Sequence, residues 1–284
     1  MNENLTIPNH GFSLGEDMTV ALQAAQKAGL IVREGYGKLH DVEEKGVGDL
    51  VSRVDTDCDS AIQGVLKEAR PNDDILSEEL SSDTKDKGQR LWVVDPLDAT
   101  AGFLFQAGEN ITSVMVALRD RLETQLSVIL FPMTGEWFYA QKSRGAFKNG
   151  ERLTTDGVTR DLSKAWIDMN HYGDERLQTP AFAQLDRRLR SPEGASLVTR
   201  LVPHSGIVTK IIEQRQRIAA VVHDNNPTKV KQAPWDIIPA QLLLEETGGV
   251  VINLQNERID PFKPELIVAA GNREIATAIT RLAA

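Results

Sequence analysis

Apolar residues recur every three or four positions in two stretches of the first 70 residues. Such spacing is typical of helices that bury one face and expose the other. It predicts a helix over residues 14–34, ended by the glycines at 35 and 37, and a second helix over 55–69, closed by Pro71. The first part of the chain therefore contains two amphipathic helices.

Short apolar runs separated by turn residues follow the second helix. Strands are expected at 75–76 and 91–94. From residue 111 to about 153, four further strands alternate with turns, which is typical of an antiparallel meander. The first half of the chain thus predicts an antiparallel sheet covered on one face by two helices.

The second half of the chain alternates strands with helices. Strands are expected to begin at 165, 197, 218, 250 and 266, and helices are expected at 181–189, 206–215, 235–247 and 274–282. Alternation of this kind indicates a layered α/β unit. The polar stretch 154–162 separates the two patterns, which predicts an N-terminal domain over 1–157 and a C-terminal domain over 158–284.

Charge and composition narrow the class of protein. The chain has 32 basic and 41 acidic residues, and this net charge of −9 argues weakly against nucleic acid as the main partner, because phosphate backbones are bound by basic faces. A single cysteine excludes an internal disulfide, the first ten residues do not resemble a signal peptide, and no apolar run reaches the roughly 20 residues of a membrane span. We expect a cytoplasmic protein that binds neither a membrane nor nucleic acid.

Acidic residues stand at the ends of predicted strands. Asp95-Pro-Leu-Asp98 directly follows the apolar strand 91–94. Proline cannot continue a strand ladder, so we expect the chain to turn there and to bring both acids together at the carboxyl end of the strand. The residues after Asp98 can open a short helix whose unpaired N–H groups face the same place.

Two further acids stand in comparable places. Glu78 follows the strand 75–76, and Asp236 lies in the first turn of the helix 235–247. Each acid alone is more often a solvated side chain or a helix cap. Together they form a set of oxygen ligands without clustered histidine or cysteine, which suits Mg²⁺, Mn²⁺ or Ca²⁺ better than zinc.

Five short motifs, in the right order over residues 45 to 249, resemble those of the inositol monophosphatase family of lithium-sensitive, Mg²⁺-dependent phosphomonoesterases. Residues 95–100 match the family motif DP(I/L)DGT, and residues 235–236 with 246–249 match WDxAA…EAGG. Residues 49–55 match DLVTxxD, residues 77–79 match GEE, and residues 145–150 match GAFxNG. The resemblance implies an α+β fold, a layered αβαβα sandwich of the inositol monophosphatase and fructose-1,6-bisphosphatase type. It also implies a homodimer.

The resemblance implies a role for each matching position. Glu78, Asp95 and the carbonyl of Leu97 would hold one Mg²⁺; Asp95, Asp98 and Asp236 would hold a second; and a third, looser ion would contact Glu78. Asp55 and Thr100 would orient the attacking water, and the N–H groups of Ala99 and Thr100 would bind the phosphate. Two or three Mg²⁺ ions would thus support direct attack of water on a small phosphorylated metabolite.

Three features of the chain depart from the family pattern. Ala99 replaces the signature glycine, Ala101 replaces a residue that is usually polar, and the segment 202–206 matches the family's glycine-serine/threonine substrate loop poorly. If the glycine position requires a positive φ angle or close approach to phosphate, the methyl group of Ala99 weakens phosphate binding.

A cluster of lysines departs from the pattern as well. Inositol monophosphatases carry an acid that contacts the inositol hydroxyls seven residues before the WD aspartate, and this chain has Lys229 there, with Lys231 close by. We hypothesise that Lys229, Lys231 and Lys210 contact a second anionic group of the substrate. The alternative is a solvated basic loop.

The hairpin 145–150 favours inositol monophosphatase-like activity. The lysines favour two alternatives, a 3′-phosphoadenosine 5′-phosphate nucleotidase or a fructose-1,6-bisphosphatase. An alternative of another class is a regulatory or binding protein on the same scaffold with weak turnover, which the two alanines and the poor substrate loop favour.

Overall fold

The computed structural model describes residues 5–8, 15–38, 42–46, 49–108, 111–170, 179–199, 218–224, 234–263 and 265–283. The chain divides into two compact units. Residues 1–152 and 234–243 form the first unit, and residues 153–233 and 244–284 form the second. This division differs from the expected one, because the segment that carries Asp236 groups with the N-terminal residues although it was assigned to the C-terminal domain.

The first unit contains a seven-stranded sheet and a small two-stranded sheet. The large sheet has the order β3-β4-β5-β6-β7-β8-β9, and β1 pairs with β2. The strands are β1 (Val42–Gly46), β2 (Asp49–Ser52), β3 (Asp74–Ser77), β4 (Leu91–Asp98), β5 (Ser113–Asp120), β6 (Glu123–Phe131), β7 (Glu136–Gln141), β8 (Gly145–Lys148) and β9 (Glu151–Arg152). The large sheet is mixed instead of wholly antiparallel: β3 and β4 run parallel, because the 13-residue connection 78–90 returns the chain to the starting edge.

Two long helices cover the large sheet, as the hydrophobic pattern predicts. Helix α1 (Glu16–Gly35) packs on β5 and β6, and α2 (Arg53–Ala69) packs on β4. The helices also pack on each other, since the inner face of α1 carries fully buried alanines that permit close approach: Ala21, Ala24, Ala25 and Ala28. Short helix α3 (Thr100–Leu104) follows β4 directly.

The second unit contains a five-stranded mixed sheet. Its order is β11-β10-β12-β14-β13, parallel from β11 to β12 and antiparallel beyond. The strands are β10 (Trp166–Asn170), β11 (Leu197–Thr199), β12 (Ile218–Asp224), β13 (Val250–Ile252) and β14 (Leu266–Ala270), and the helices are α4 (Pro180–Leu189) and α6 (Arg273–Ala283). Helix α6 packs on β14 and on α4. The expected helix 206–215 lies outside the described residues.

Helix α5 (Pro234–Glu246) contributes its first ten residues to the first unit and its last three to the second. In each unit, helices flank a mixed sheet, which is the arrangement expected for the α+β class. Over the part of the chain that the structure describes, no helix combines the length and hydrophobicity needed to cross a bilayer.

Candidate metal centre

A bulge in β4 places two acids on one side of the strand. Asp95 pairs with Met115 and Asp98 pairs with Ser113, so three steps along β4 correspond to two along β5. The extra residue shifts the alternation of side chains, and residues three apart then share a face. We expected the chain to leave the sheet at Pro96; instead β4 continues to Asp98, because the bulge accommodates the missing proline N–H.

Three carboxylates converge at this end of β4. One oxygen each of Asp95, Asp98 and Asp236 lies within 4.8 Å of the others. Asp95 is 1% exposed, whereas Asp98 and Asp236 are half-buried. Asp236 comes from the first turn of α5, in the segment that belongs to the first unit. The structure therefore brings together the three aspartates that the sequence predicted as ligands of one metal.

Glu78 lies beside this cluster. Strands β3 and β4 run parallel with Ser77 opposite Val94, and the N–H of Glu78 donates to the carbonyl of Val94 at 3.3 Å. Both strands thus end at the same edge of the sheet, with Glu78 next to Asp95. The charge of Glu78 acts on both Asp95 and Asp98.

The four acids disfavour one another's charged forms. Burial raises the pKa of Asp95 well above its usual range, and the charges of Glu78, Asp98 and Asp236 add to this effect. Burial also raises the pKa of Asp98, followed by the charges of Asp236 and Glu78, while hydrogen bonds from the Ser113 hydroxyl and the Ala99 N–H oppose the rise. A divalent cation converts this repulsion into attraction, and an all-oxygen donor set fits Mg²⁺, Mn²⁺ or Ca²⁺.

Asp55 and Thr100 form a second part of the site. Ser52 is the N-cap of α2, and Asp55 Oδ2 accepts hydrogen bonds from both the N–H (2.8 Å) and the hydroxyl (2.6 Å) of Ser52. The Thr100 hydroxyl donates to Asp55 Oδ1 at 2.7 Å and lies 3.1 Å from the carbonyl of Leu97. Burial raises the pKa of Asp55, and the hydrogen bonds from Ser52 and Thr100 lower it in part.

Ala99 stands between the two parts of the site in a left-handed conformation, with φ 61° and ψ 48°. The position that carries glycine in the family therefore does have a positive φ angle. The N–H of the same residue donates to Asp98. The lysines at 210, 229 and 231 and the segment 202–206 lie outside the described residues.

The sequence analysis missed two residues that support the site. Ser113, the partner of Asp98 across β4 and β5, donates to Asp98 Oδ2 at 3.4 Å; the sequence carries no signal for this contact because the bulge in β4 sets the register of the pair. Asp59 is completely buried on α2 and bonds to the segment that carries Glu78. The sequence did contain a signal for Asp59: it is an acid one helical turn after Asp55, and it lies on the apolar face of the helix that includes Cys58 and Ile62.

A cavity of about 450 Å³ lies elsewhere in the first unit. Its lining includes Asp17, Arg70 and Arg90. Arg90 directly precedes β4, whereas Asp95 and Asp98 lie five and eight residues further along the strand, roughly 16 and 26 Å away. The cavity and the carboxylate cluster are therefore separate, and Asp17 is ion-paired with both arginines there.

The chain is similar to known proteins over most of its length. The sequence profile of the inositol monophosphatase family matches residues 14–284. A fructose-1,6-bisphosphatase/inositol-1-monophosphatase of Thermotoga maritima is 25% identical over 257 residues, which cover 88% of this chain and 90% of that protein. The Nus factor SuhB of Salmonella typhimurium is 26% identical over 242 residues, 82% of this chain and 84% of the relative.

A solved structure extends the likeness to the fold. The extragenic suppressor protein suhB of Bartonella henselae matches with a TM-score of 0.78 and 26% identity, over 95% of this chain and 98% of that one. The family resemblance and the α+β fold class expected from the motifs are thereby confirmed. The chain belongs to the inositol monophosphatase family.

Proposed function

We propose that this protein is a Mg²⁺-dependent phosphomonoesterase that hydrolyses a small phosphorylated metabolite. The observation that carries the proposal is the convergence of Asp95, Asp98 and Asp236 within 4.8 Å, next to Glu78. Buried acids in such numbers are costly unless a cation neutralises them. Membership of a family named for a phosphatase supports the same activity.

Each acid has a place in this proposal. Glu78, Asp95 and the Leu97 carbonyl would hold one ion, Asp95, Asp98 and Asp236 would hold another, and Glu78 would contact a third, looser ion. When bound, Mg²⁺ lowers the pKa of a coordinated water and stabilises negative charge on the leaving oxygen. The N–H groups of Ala99 and Thr100 would bind the phosphate, and the N–H of Ala99 would exchange its bond to Asp98 for one to the phosphate.

Asp55 and Thr100 orient the attacking water. Because the Thr100 hydroxyl donates its proton to Asp55, its own oxygen remains able to accept one from water. The hydrogen bonds from Ser52 fix the carboxylate of Asp55 on the other side. As the attacking water gives its proton to the Thr100 oxygen, the Thr100 hydroxyl proton would pass along its hydrogen bond to Asp55, so that the Asp55 carboxylate is the base that finally holds the proton.

We propose inositol monophosphate-like compounds as the first substrate class to test. A relative whose name includes both fructose-1,6-bisphosphatase and inositol-1-monophosphatase supports mono- and bisphosphates alike. A bisphosphate such as 3′-phosphoadenosine 5′-phosphate or fructose 1,6-bisphosphate fits the hypothesis that Lys210, Lys229 and Lys231 contact a second anion. We further propose that the protein is a cytoplasmic homodimer.

A second candidate is a regulatory or binding protein with weak turnover. Two observations favour it: the strained Ala99 in the phosphate-binding segment, and a relative named as a Nus factor instead of as a phosphatase. The net charge of −9 does not decide between the candidates, since local patches bind partners independently of net charge.

Phosphate release from a panel of inositol monophosphate, fructose 1,6-bisphosphate and 3′-phosphoadenosine 5′-phosphate tests the proposal. We expect release that requires Mg²⁺, that EDTA abolishes, and that falls at least about 100-fold in Asp98→Asn. The matched control is Asp83→Asn, an exposed acid outside the cluster, which should keep wild-type activity. Absence of Mg²⁺-dependent release on every substrate would favour the binding protein.

Lys229→Glu on the same panel tests the second anion. The substitution should lower the rate on bisphosphates more than the rate on monophosphates. Unchanged relative rates would refute contact between Lys229 and a second phosphate.

A further inference from the structure

A buried carboxylate outside the metal cluster is held only by neutral groups. Asp59 on α2 is 0% exposed, and among the described residues its hydrogen-bond partners carry no charge. A buried carboxylate is costly unless several donors satisfy it, and bonds to a charged acceptor are about twice as strong as neutral ones. Asp59 therefore forms strong bonds with whatever segment supplies those donors.

Of the four hydrogen bonds that Asp59 accepts from described residues, three come from the last residue of β3 and the turn that follows it. Asp59 Oδ2 accepts from the Ser77 hydroxyl at 2.7 Å, from the N–H of Leu80 at 2.9 Å and from the N–H of Glu79 at 3.2 Å. Oδ1 accepts from the side chain of Gln63 at 2.9 Å. The donors at 77, 79 and 80 lie on both sides of Glu78.

The turn needs this anchor because the sheet pairing ends before it. Strand β3 stops at Ser77, and the N–H groups of Glu79 and Leu80 point to Asp59 instead of to a neighbouring strand. Glu78 meanwhile faces the like charges of Asp95 and Asp98, which repel it when no cation is bound. Without Asp59, two backbone donors lose their partner and the repulsion is free to move Glu78 away.

We infer that Asp59 is a positioning residue for the metal centre: its carboxylate fixes the turn 77–80 so that Glu78 remains beside Asp95. The inference rests on the proposed function, in which Glu78 is a metal ligand. It assigns a function to a residue that touches neither the metal nor the substrate.

Mg²⁺ binding measured by calorimetry, without substrate, tests the inference. Asp59→Ala removes the acceptor and should weaken Mg²⁺ binding roughly 10- to 100-fold, the usual effect of losing a group that orients a metal ligand. Asp59→Asn keeps an oxygen for the turn, while the amide of Gln63 turns over to accept from the new NH₂ group. The Mg²⁺ affinity of Asp59→Asn should therefore lie within a few-fold of the wild-type affinity.

Asp57→Ala is the matched control, since Asp57 is an exposed acid two residues away on the same helix. It should bind Mg²⁺ as wild type does. If Asp59→Ala only destabilised the fold, its melting temperature would fall, but its Mg²⁺ affinity would equal that of Asp59→Asn. A difference in Mg²⁺ affinity between the two variants therefore indicates a positioning role. Phosphate release by Asp59→Ala should also recover at high Mg²⁺ concentration.

Asp98→Asn separates the two possible failures. If wild type binds no Mg²⁺, the proposed function fails and the inference fails with it. If Asp98→Asn loses Mg²⁺ binding while folded Asp59→Ala keeps wild-type affinity, the inference alone is overturned. Should Asp59→Ala not fold, Ser77→Ala removes one of the three bonds to the turn; several-fold weaker binding supports the inference, and unchanged binding overturns it.

Discussion

Ala99 adopts a backbone conformation that L-residues avoid. Its φ of 61° places Cβ close to the following carbonyl, at a cost of roughly 1–2 kcal/mol. Strain of this kind persists only where surrounding contacts enforce it. Here Asp98 accepts from the N–H of Ala99, and Thr100 is bonded to Asp55.

Ala99→Gly should raise the free energy of unfolding by up to about 1 kcal/mol, because relief of strain exceeds the extra entropy of glycine in the unfolded chain. Ala101→Gly, an exposed position in α3 with right-handed backbone, should lower it by up to about 1 kcal/mol. Urea unfolding of both variants measures the difference. Equal losses in both would contradict the strain assigned to Ala99.

At the residue scale, pattern alone identified the acids but not their supports. Asp95, Asp98 and Asp236 could be predicted because carboxylates at strand and helix ends are unusual in combination. The sequence raised, but could not decide, the question of a positive φ angle at position 99. Asp59 resisted prediction because its function depends on a turn 18 to 21 residues away, and helical spacing contains no information on that contact.

At the scale of elements, the N-terminus of α2 is part of the site. Ser52 accepts from the N–H of Val54 and donates to Asp55, which forms a reciprocal capping box. The groups that start the helix therefore also orient Asp55 toward Thr100. Helix stability and site geometry depend on the same bonds.

Ser52→Ala should lower the free energy of unfolding by about 1 kcal/mol, the usual cost of a lost N-cap. It should also lower phosphate release, since Asp55 loses a hydrogen bond that orients it. Thr179→Ala removes the N-cap of α4, which belongs to the other unit, and should reduce stability alone. If both variants kept full activity, the dependence of Asp55 on the cap would be refuted.

Asp17 joins three elements of the first unit. It lies in the first turn of α1 and pairs with Arg70 at the end of α2 (2.7 Å) and with Arg90 before β4 (3.0 Å). Burial alone would raise the pKa of Asp17, but the hydrogen bonds and charges of Arg90 and Arg70 outweigh it, so the pKa lies below its usual range. The carboxylate thus stabilises the fold above about pH 4, and this contribution disappears as the pH falls through the lowered pKa.

Asp17→Asn should therefore be less stable than wild type at pH 7, by about 1 kcal/mol for pairs partly screened by water. The difference should begin to shrink below about pH 4, where Asp17 becomes protonated in the unfolded chain, and should vanish once the pH falls below the lowered pKa of the folded protein. Denaturant unfolding at both pH values measures it. The control Glu34→Gln alters an exposed pair with Lys38 and should change the free energy of unfolding little at pH 7. If the difference between Asp17→Asn and wild type grew in acid, this would contradict the lowered pKa of Asp17.

Local sequence signals located these elements to within a few residues but not their pairing. The helix expected over residues 14–34 is observed as Glu16–Gly35, and the helix expected over 55–69 is observed as Arg53–Ala69. The sequence analysis missed the bulge at Pro96 and the parallel direction of β3. Both depend on which strand pairs with which, and the hydrophobic pattern of a strand contains no information on its neighbour.

At the scale of the whole molecule, the carboxylates come from three distant parts of the sequence. The raised pKa values of Asp95 and Asp98 mean that the metal-free protein is destabilised by its own charge at neutral pH. A cation that binds only the folded state reverses this effect. If the carboxylates hold a cation as proposed, fold stability and metal content are linked.

Mg²⁺ should raise the melting temperature relative to EDTA, by the equivalent of about 2.7 kcal/mol at 100 times its Kd. In EDTA, Asp98→Asn should melt above wild type, because one of the repelling charges is gone; in Mg²⁺ the order should reverse. Calorimetry of both proteins in both buffers provides the measurement. A wild-type melting temperature that ignores Mg²⁺ would contradict a metal centre.

In EDTA, wild-type stability should also rise as the pH falls from 7 toward 5. Asp95 and Asp98 have raised pKa values in the folded state, so the folded protein binds more protons than the unfolded chain and gains stability with acid. Asp98→Asn should show a smaller slope. A wild-type profile that falls over this range would refute the raised pKa values.

The general class of the fold could be predicted because motifs in order are specific. The grouping of residues could not: the segment 234–243 follows some 80 residues assigned to the second unit, yet belongs with the first. The hydrophobic periodicity of a helix describes that helix alone and does not show in which unit the helix packs. Only the contacts of the folded protein decide this.

Translation proceeds from the N-terminus at about 5–20 residues per second. The sheet whose strand β4 carries Asp95 and Asp98 is complete by residue 152, whereas Asp236 is added 84 residues later. A nascent chain thus spends several seconds with two of its three clustered aspartates made and the third still to be synthesised. Under the proposed function, the ion would be captured late in biosynthesis, and a polypeptide cut short before position 236 would emerge from the ribosome without one of the groups that hold it.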